Sequence, residues 1–294
     1  MHNQKIAVVG GDRREAVLIN ELLRANYDLR IYGQPPIAVA DPKCCSSSLT
    51  AALTDVAAII LPVAGLTEDG VVPSPYWGEK LRLTAEELRR SDETATIFCG
   101  VAPPSLRALA AEAGRDCLAV IDLDDFAIPN AIPTAEGALE IAMRETMRTM
   151  HGSAAAVLGF GRVGKAMAHL LRAVGATVTV FSRNAAEHRD GRAAGFDIRY
   201  YRALPHILPT LDMIFNTVPA PVLTAERIAT ISPDCLIVDL ASKPGGVDFA
   251  AAEARKLRVV HALGLPGKCS PQTAGEILAA GYRQLLPRYG IGGR

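Results

Sequence analysis

The stretch that decides the fold is Ala154-Ala155-Ala156-Val157-Leu158-Gly159-Phe160-Gly161-Arg162-Val163-Gly164. Its first five residues form an apolar run of strand length, and a helical pattern over residues 162–174 follows, ended by a glycine. In GxGxxG the first glycine allows a tight turn, the second lets backbone approach a pyrophosphate, and the third permits close helix–strand packing. A second strand, Thr177–Phe181, ends at the expected distance. The segment predicts a dinucleotide site formed by Gly159, Phe160, Gly161, Arg162, Val163 and Gly164.

The end of that second strand predicts which dinucleotide is bound. NAD-specific sites usually place a carboxylate there for the ribose 2′-hydroxyl. Here the strand is followed by Ser182 and Arg183, and Glu187 stands several residues further on. A guanidinium and a hydroxyl suit a 2′-phosphate, so we expect NADP(H) rather than NAD(H).

A later strand contributes to the same edge of the predicted sheet. The predicted strand Met213–Asn216 is followed directly by Thr217, Val218 and Pro219. The carboxyl ends of parallel strands form the ligand crevice in such folds. We expect the backbone of Asn216, Thr217, Val218 and Pro219 to flank the adenosine–ribose side of the cofactor.

Outward from the fingerprint, the 294 residues form two arrays of alternating strands and helices. This predicts an α/β fold with two Rossmann-like domains, parallel sheets and a bridging helix. Residues 1–130 are expected to form an N-terminal substrate domain, residues 131–152 the bridging helix, and residues 153–270 the NADP-binding domain. In this interpretation residues 129–134 are irregular, Thr134 caps the bridging helix, and residues 65–78 form a long loop. The C-terminal helix, residues 271–294, is expected to return to the first domain.

Composition excludes several classes of protein. The 31 basic and 31 acidic side chains cancel, which argues against a nucleic-acid partner. No membrane-spanning run or signal peptide is seen, so we expect a cytoplasmic protein. The six cysteines lack metal-ligand spacing, so no metal is expected.

Two segments resemble the D-2-hydroxyacid dehydrogenases. Residues 239–248, Asp-Leu-Ala-Ser-Lys-Pro-Gly-Gly-Val-Asp, are similar to the turn that carries their substrate-binding arginine, in whose place Lys243 would stand. Residues 270–275 resemble their Ser-Pro-His loop, but Gln272 occupies the position of the catalytic histidine. Glutamine cannot donate a proton near neutral pH. The resemblance therefore implies the same scaffold without the same reaction.

A broader resemblance covers almost the whole chain. Residues 9–13, 60–63, 132–137, 158–162, 239–248 and 264–267 together resemble the A subunit of dipicolinate synthase from spore-forming bacteria. This resemblance implies NADPH-linked interconversion of dihydrodipicolinate and dipicolinate in the mother cell of a sporulating bacterium. It also implies that the partner is a flavoprotein-like B subunit. We further expect a homo-oligomer.

Aromatising a dihydropyridine requires a hydride acceptor, a route for a proton, and cations for two carboxylates. The catalytic candidates are Lys243 for a carboxylate, Glu136 for the proton, and Thr134. The substrate-binding candidates are Arg13, Asn130 and Ser242. Each candidate also has a purely structural alternative. Thr134 would only cap its helix, and Glu136 would only interact favourably with the helix dipole. Arg13 and Lys243 would be solvated surface residues.

Two other functions stay open at the level of sequence. One is an NADPH-dependent reductase of another small keto or imino acid. The other is a non-catalytic NADPH-binding subunit with a regulatory role. This alternative stays open because Gln272 stands where the dehydrogenases have their catalytic histidine.

Overall fold

The computed structural model describes residues 4–242 and 244–293, so Lys243 lies outside the described residues. The chain divides into two compact units. The first comprises Met1–Pro129 together with Ser270–Arg294, and the second comprises Asn130–Cys269. Within the described residues, no helix has both the length and the apolar character needed to cross a membrane.

The first unit is built on a five-stranded parallel sheet of order β2-β1-β3-β6-β7, with a separate antiparallel hairpin β4-β5. Its strands are β1 (Ile6–Val9), β2 (Leu29–Tyr32), β3 (Ala58–Ile60), β4 (Val71–Val72), β5 (Leu81–Arg82), β6 (Thr96–Cys99) and β7 (Asp116–Ala119). Its first helices are α1 (Arg13–Arg24), α2 (Leu49–Leu53), α3 (Ala85–Leu88) and α4 (Pro104–Ala113). Helix α5 (Asp124–Glu145) passes from the first unit into the second at Asn130.

The second unit is built on a six-stranded parallel sheet of order β10-β9-β8-β11-β12-β13. Its strands are β8 (Ala154–Leu158), β9 (Thr177–Phe181), β10 (Asp197–Arg199), β11 (Met213–Asn216), β12 (Leu236–Asp239) and β13 (Arg258–His261). Its helices are α6 (Arg162–Ala173), α7 (Ala185–Ala193), α8 (Leu204–Ile207), α9 (Ala225–Ile228), α10 (Phe249–Ala254) and α11 (Leu265–Cys269). Counted within the unit, this order is 3-2-1-4-5-6, the arrangement of dinucleotide-binding sheets.

Helix α12 (Pro271–Leu285) belongs to the first unit, where it packs along α1. Tyr282 on α12 is buried and meets Phe126 edge to face, with ring centroids 5.2 Å apart. Both sheets carry an apolar cluster on each face, because successive buried residues of a strand point to opposite sides. The predicted fold class of two Rossmann-like, parallel-sheet units is confirmed.

Helix α5 corrects the predicted bridging helix. The helix begins at Asp124 and ends at Glu145, whereas we expected irregular backbone at residues 129–134 and a helix over residues 131–152. Thr134 therefore lies inside the helix and is not its cap; its Oγ1 donates to the carbonyl of Asn130 at 2.8 Å. Prolines 129 and 133 suggested a break, but they are accommodated within a helix that buries Phe126, Ala131 and Ala135.

One smaller expectation was also wrong. The stretch at residues 65–78 is not a plain loop, because it contains β4 of the hairpin. Strands of two residues and helices of five carry too little periodicity to be recognised in a sequence.

Candidate functional site

The fingerprint turn opens onto a cavity of about 650 Å³ at the carboxyl ends of β8, β9 and β11. Three predicted groups of residues come together in its walls, namely residues 159–163 of the turn, Ser182 and Arg183 after β9, and Thr217, Val218 and Pro219 after β11. Further residues that the sequence pattern did not predict also line the cavity: Asn184, Glu187, Tyr201, Ala220, Pro221, Val222 and Arg227. The cavity lies entirely within the second unit.

The three glycines differ in what surrounds them. Gly159 has φ +94°, and a Cβ there would lie 2.5 Å from Thr217 Oγ1. A Cβ on Gly164 would lie 2.3 Å from the Gly159 carbonyl oxygen, so this glycine allows helix and turn to touch. Gly161 has ordinary backbone angles, and a Cβ there would meet no atom of the described residues within 4 Å. Gly161 also lines the cavity, so the open space in front of it is where a pyrophosphate could approach the backbone.

The N-terminus of α6 has no side-chain cap. Gly161 is the N-cap of α6 and offers no side-chain hydrogen bond to the first turn. Helix α1 in the first unit is the opposite case, because Asp12 and Glu15 form a reciprocal capping box there. A helix N-terminus without side-chain partners favours a bound negative charge. The second unit therefore provides the residues that suit a dinucleotide pyrophosphate.

Ser182 is committed to a local network at the end of β9. Its side chain is buried, its hydroxyl donates to Glu187 Oε2, and its Oγ accepts from the Asn184 N–H at 3.0 Å. Helix α7 places Glu187 in its first turn and thereby returns this carboxylate to the cavity. Its separation from the strand end in the sequence did not predict that Glu187 lines the cavity. Its position three residues after the N-cap Asn184 was the signal that could have revealed it.

Three aromatic residues lie at this corner of the cavity. His188 Nε2 lies 3.0 Å from the Ser182 carbonyl oxygen, which requires Nε2 to be the protonated nitrogen. The His188 ring also stacks on Tyr200 with centroids 3.9 Å apart. Tyr201 lines the cavity, and burial together with the nearby Glu187 carboxylate raises its pKa to about 12. Tyr201 is therefore a neutral hydrogen-bonding group at physiological pH.

Asn216 does not line the cavity but supports its wall. Its side chain is fully buried, and Nδ2 donates to Asp239 Oδ1 at 2.7 Å and to the Val218 carbonyl at 3.1 Å. The Val218 N–H donates back to Asn216 Oδ1 at 3.3 Å. This amide–carboxylate pair ties the ends of β11 and β12 and fixes the wall that Thr217 and Val218 provide.

The turn after β12 contains the predicted Ser242 and Lys243. Ser242 is exposed, and its carbonyl accepts from the Gly245 N–H at 2.8 Å. Lys243 is outside the described residues. Asp248 caps α10 by accepting from the Ala251 N–H at 3.0 Å.

The candidates on α5 are close to one another along the helix. Asn130 and Thr134 are partly exposed and linked by the hydrogen bond from Thr134 to the Asn130 carbonyl. Glu136 is exposed and lines a shallow groove with Leu139 and Met143. Gln272, in the first turn of α12, is exposed, and its Nε2 donates to Glu276 at 2.8 Å.

In the first unit, Arg14 lines a cavity, whereas the predicted substrate-binding residue Arg13 does not. Arg13 is exposed, whereas Arg14 lines a second cavity of about 550 Å³. The helical turn after Asp12 directs the two side chains differently, and Arg14 Nη2 pairs with Asp12 Oδ2 at 2.8 Å. The buried Glu15 accepts from the Val63 N–H at 3.0 Å and the Asp12 N–H at 2.8 Å. Burial, together with the Asp12 charge, raises the pKa of Glu15 to about 7.

No cluster of three or more histidine, cysteine, aspartate or glutamate side chains suited to a metal occurs in residues 4–242 and 244–293. The cavity of the second unit thus offers glycine backbone, a helix N-terminus and polar side chains at a strand edge. Those groups suit a dinucleotide rather than a metal ion.

Comparison with known proteins agrees with this geometry. Residues 5–121 match the model of the N-terminal domain of the dipicolinate synthase A subunit. Residues 134–244 match the model of the D-isomer specific 2-hydroxyacid dehydrogenase NAD binding domain. The second match supports an oxidoreductase role with a nicotinamide cofactor.

Full-length relatives are found as well. The chain is 36% identical over 285 residues to the dipicolinate synthase A subunit of Bacillus subtilis (strain 168), covering 96% of this chain and 95% of that protein. The crystal structure of the dipicolinate synthase A chain from Bacillus subtilis matches with a TM-score of 0.91 and 34% identity, over 99% of this chain and 98% of that one. The crystal structure of the A subunit from Bacillus halodurans matches with a TM-score of 0.89 and 31% identity, over 96% and 97% of the two chains. This chain belongs to the family of dipicolinate synthase A subunits.

Proposed function

We propose that the protein is an NADP(H)-linked oxidoreductase that forms dipicolinate from dihydrodipicolinate in a sporulating cell. The observation that carries the proposal is the open space in front of the Gly161 backbone in the cavity wall. The chain that contains it matches this family over almost its whole length. The residues present fit a nicotinamide dinucleotide, since the α6 amides are uncapped and the space before them is clear.

The reaction removes a hydride and a proton from the dihydropyridine ring and leaves an aromatic pyridine dicarboxylate. Bound NADP⁺ supplies the hydride acceptor. The gain of aromaticity favours the products, so a strong catalytic acid is not required of the protein. This agrees with glutamine rather than histidine at position 272.

We propose the following roles for this chain's own residues. Lys243, by sequence resemblance, pairs with a substrate carboxylate, and Ser242 beside it offers an exposed hydroxyl. Asn130 and Thr134 present polar groups on one turn of α5, and Glu136, an exposed carboxylate on the same helix, accepts the ring proton. The first unit, Met1–Pro129 completed by Ser270–Arg294, serves as the substrate domain, and Arg13 or its neighbour Arg14 supplies a cation there.

The preference for NADP(H) rests on Arg183, which is exposed at the rim of the cavity beside Ser182. A guanidinium there pairs with a 2′-phosphate. Glu187 opposes this preference, because its carboxylate lies in the same corner and holds the Ser182 hydroxyl. We expect the Ser182 hydroxyl to turn from Glu187 to the phosphate when NADP(H) binds.

We also propose two partners. Family membership favours a dipicolinate synthase B subunit. A homo-oligomer is favoured by the apolar side chains that α5 and the residues after it expose in the second unit, since Met143 and Met147 are 62% and 100% exposed.

The test is reconstitution. The chain, the B subunit, NADP⁺ and dihydrodipicolinate formed in situ are mixed, and NADPH and pyridine absorbance are followed together. We expect both signals to rise. Turnover of simple keto acids instead would identify a different reductase, and no turnover of any substrate would leave a non-catalytic NADPH-binding protein.

A further inference from the structure

The second cavity, in the first unit, lies where the strand order of that sheet reverses. Among the parallel strands the order β2-β1-β3-β6-β7 corresponds to 2-1-3-4-5, and its switch point falls between β1 and β3. Ligands of open α/β sheets bind outside the carboxyl ends of the strands at that point. The cavity is bounded there by Asp12 and Arg14 after β1, by Pro62 after β3, and by the hairpin residue Trp77.

A dinucleotide cannot use this switch point in the way the second unit allows. A Cβ on Gly10 would lie 2.6 Å from Val72 Cγ1, so the hairpin already covers the turn. The Gly11 N–H donates to the Pro73 carbonyl at 2.7 Å, and the α1 capping box uses the next amide. The backbone N–H groups of this turn are therefore already used and do not bind a pyrophosphate. A ligand in this cavity must be bound by side chains.

Arg14 is the side chain best placed for an anion. Its side chain is only 14% exposed, and Nε and Nη2 bond to the Asp12 carboxylate at 3.0 Å and 2.8 Å. In the part of the chain that the structure describes, no hydrogen bond from Arg14 Nη1 is found. A guanidinium held along one edge can still donate through its other edge to a second carboxylate. Lys80 adds a second cation, on an exposed side chain, to the same cavity.

Trp77 provides an aromatic wall. Its ring is half-buried and meets Tyr32 at 60°, with centroids 5.2 Å apart, which fixes the plane of the indole. Asp12 and Glu79 balance the charges of Arg14 and Lys80 in the cavity walls. A compact dianion such as phosphate gains little from a site without net charge. A flat ring whose carboxylates reach both cations, and which also packs on Trp77, gains more.

We propose that this cavity binds a planar ring carrying carboxylate groups, with one carboxylate on Arg14 and the ring against Trp77. The ligand class rests on the proposed function, because pyridine dicarboxylate is the product expected there. The site itself rests on the first unit alone and requires neither the cofactor nor a partner protein.

Trp77 is the single tryptophan of the chain, so tryptophan fluorescence reports on this cavity directly. Dipicolinate is titrated into the full chain without cofactor, with excitation at the red edge of the tryptophan band. We expect saturable quenching. Glutarate has two carboxylates but no ring. We expect glutarate and inorganic phosphate to bind at least about tenfold more weakly than dipicolinate. Absence of quenching, or equal quenching by phosphate, overturns the proposal.

Variants assign the response to residues. Arg14→Gln should weaken dipicolinate binding about tenfold or more, because a charge-assisted bond is lost. Arg24→Gln, on the exposed last turn of the same helix, is the matched control and should leave binding unchanged. Lys80 is exposed, so Lys80→Gln should fold normally, and we expect it to weaken binding even if Arg14→Gln does not fold. If Arg13→Gln rather than Arg14→Gln removes the response, the assignment to Arg14 is wrong.

Failure here is separable from failure of the proposed function. Turnover of dihydrodipicolinate without any Trp77 response would refute this site and leave the oxidoreductase standing. A Trp77 response without turnover would leave a pyridine dicarboxylate site on a chain with another role.

Discussion

Gly161→Ala separates cofactor binding from folding, because nothing in residues 4–242 and 244–293 occupies the space that the new methyl group would fill. Gly161 has φ −74° and ψ −161°, which alanine adopts without strain. Within the part of the chain that the structure describes, a Cβ there meets no atom within 4 Å, and the residue lines the cavity. The methyl group would stand where a pyrophosphate must approach the backbone.

The two expected magnitudes differ widely. Alanine restricts the unfolded chain, which stabilises the protein by about 0.4–1 kcal/mol, whereas it is a poorer N-cap than glycine by a similar amount. The free energy of unfolding should therefore change by less than about 0.5 kcal/mol. Cofactor binding should lose at least one charge-assisted hydrogen bond, of about 1.5–3 kcal/mol, which weakens affinity about 10- to 100-fold.

The assay is a fluorescence titration with NADPH alongside thermal unfolding without ligand. Gly164→Ala is the contrasting variant, because its Cβ would lie 2.3 Å from the Gly159 carbonyl oxygen and should cost about 1–3 kcal/mol of stability. Parental NADPH affinity in Gly161→Ala would refute the placement of the cofactor. A loss of stability in Gly161→Ala equal to that of Gly164→Ala would refute the claim that its space is open.

Three further predictions concern the cofactor corner, the buried carboxyl and the strand ends. Arg183→Gln should weaken NADPH binding about tenfold while NADH binding stays unchanged, and equal losses for both would contradict a 2′-phosphate contact. Glu15 has its pKa raised from 4.5 to about 7, so the folded chain keeps a proton that the unfolded chain loses between these values. The free energy of unfolding should fall by about 3 kcal/mol as pH rises from 4.5 through 7, and urea titrations of Glu15→Gln should lack this decline; a flat parental profile would count against the shift. Asn216→Ala removes the buried partner of Asp239 and should lower the melting temperature by several degrees, with NADPH affinity reduced as the cavity wall loosens.

The fingerprint could be predicted because its signal is local. An apolar strand, a glycine spacing and a helix lie within one short segment, and the structure places that strand at Ala154–Leu158 as expected. Ser182 and Arg183 were found for the same reason, since they directly follow a recognisable strand.

The remaining features depend on contacts between distant segments. Helix α5 continues through Pro129 and Pro133 because tertiary packing of Phe126 against Tyr282 supports its first turns, which single-sequence propensity does not encode. Glu187 enters the site only because α7 begins immediately after Asn184. Arg14 rather than Arg13 faces the second cavity because the capping box sets the rotation of α1.

The central claim is that this chain transfers a hydride between a dihydropyridine dicarboxylate and NADP(H). The most direct measurement is a single turnover, in which the chain saturated with NADP⁺ is mixed with dihydrodipicolinate and the B subunit. One NADPH should form for each dipicolinate, at the same rate, and Gly161→Ala should form both more slowly at the NADP⁺ concentration that just saturates the parent chain. Dipicolinate appearing at the uncatalysed rate without matching NADPH would contradict the account.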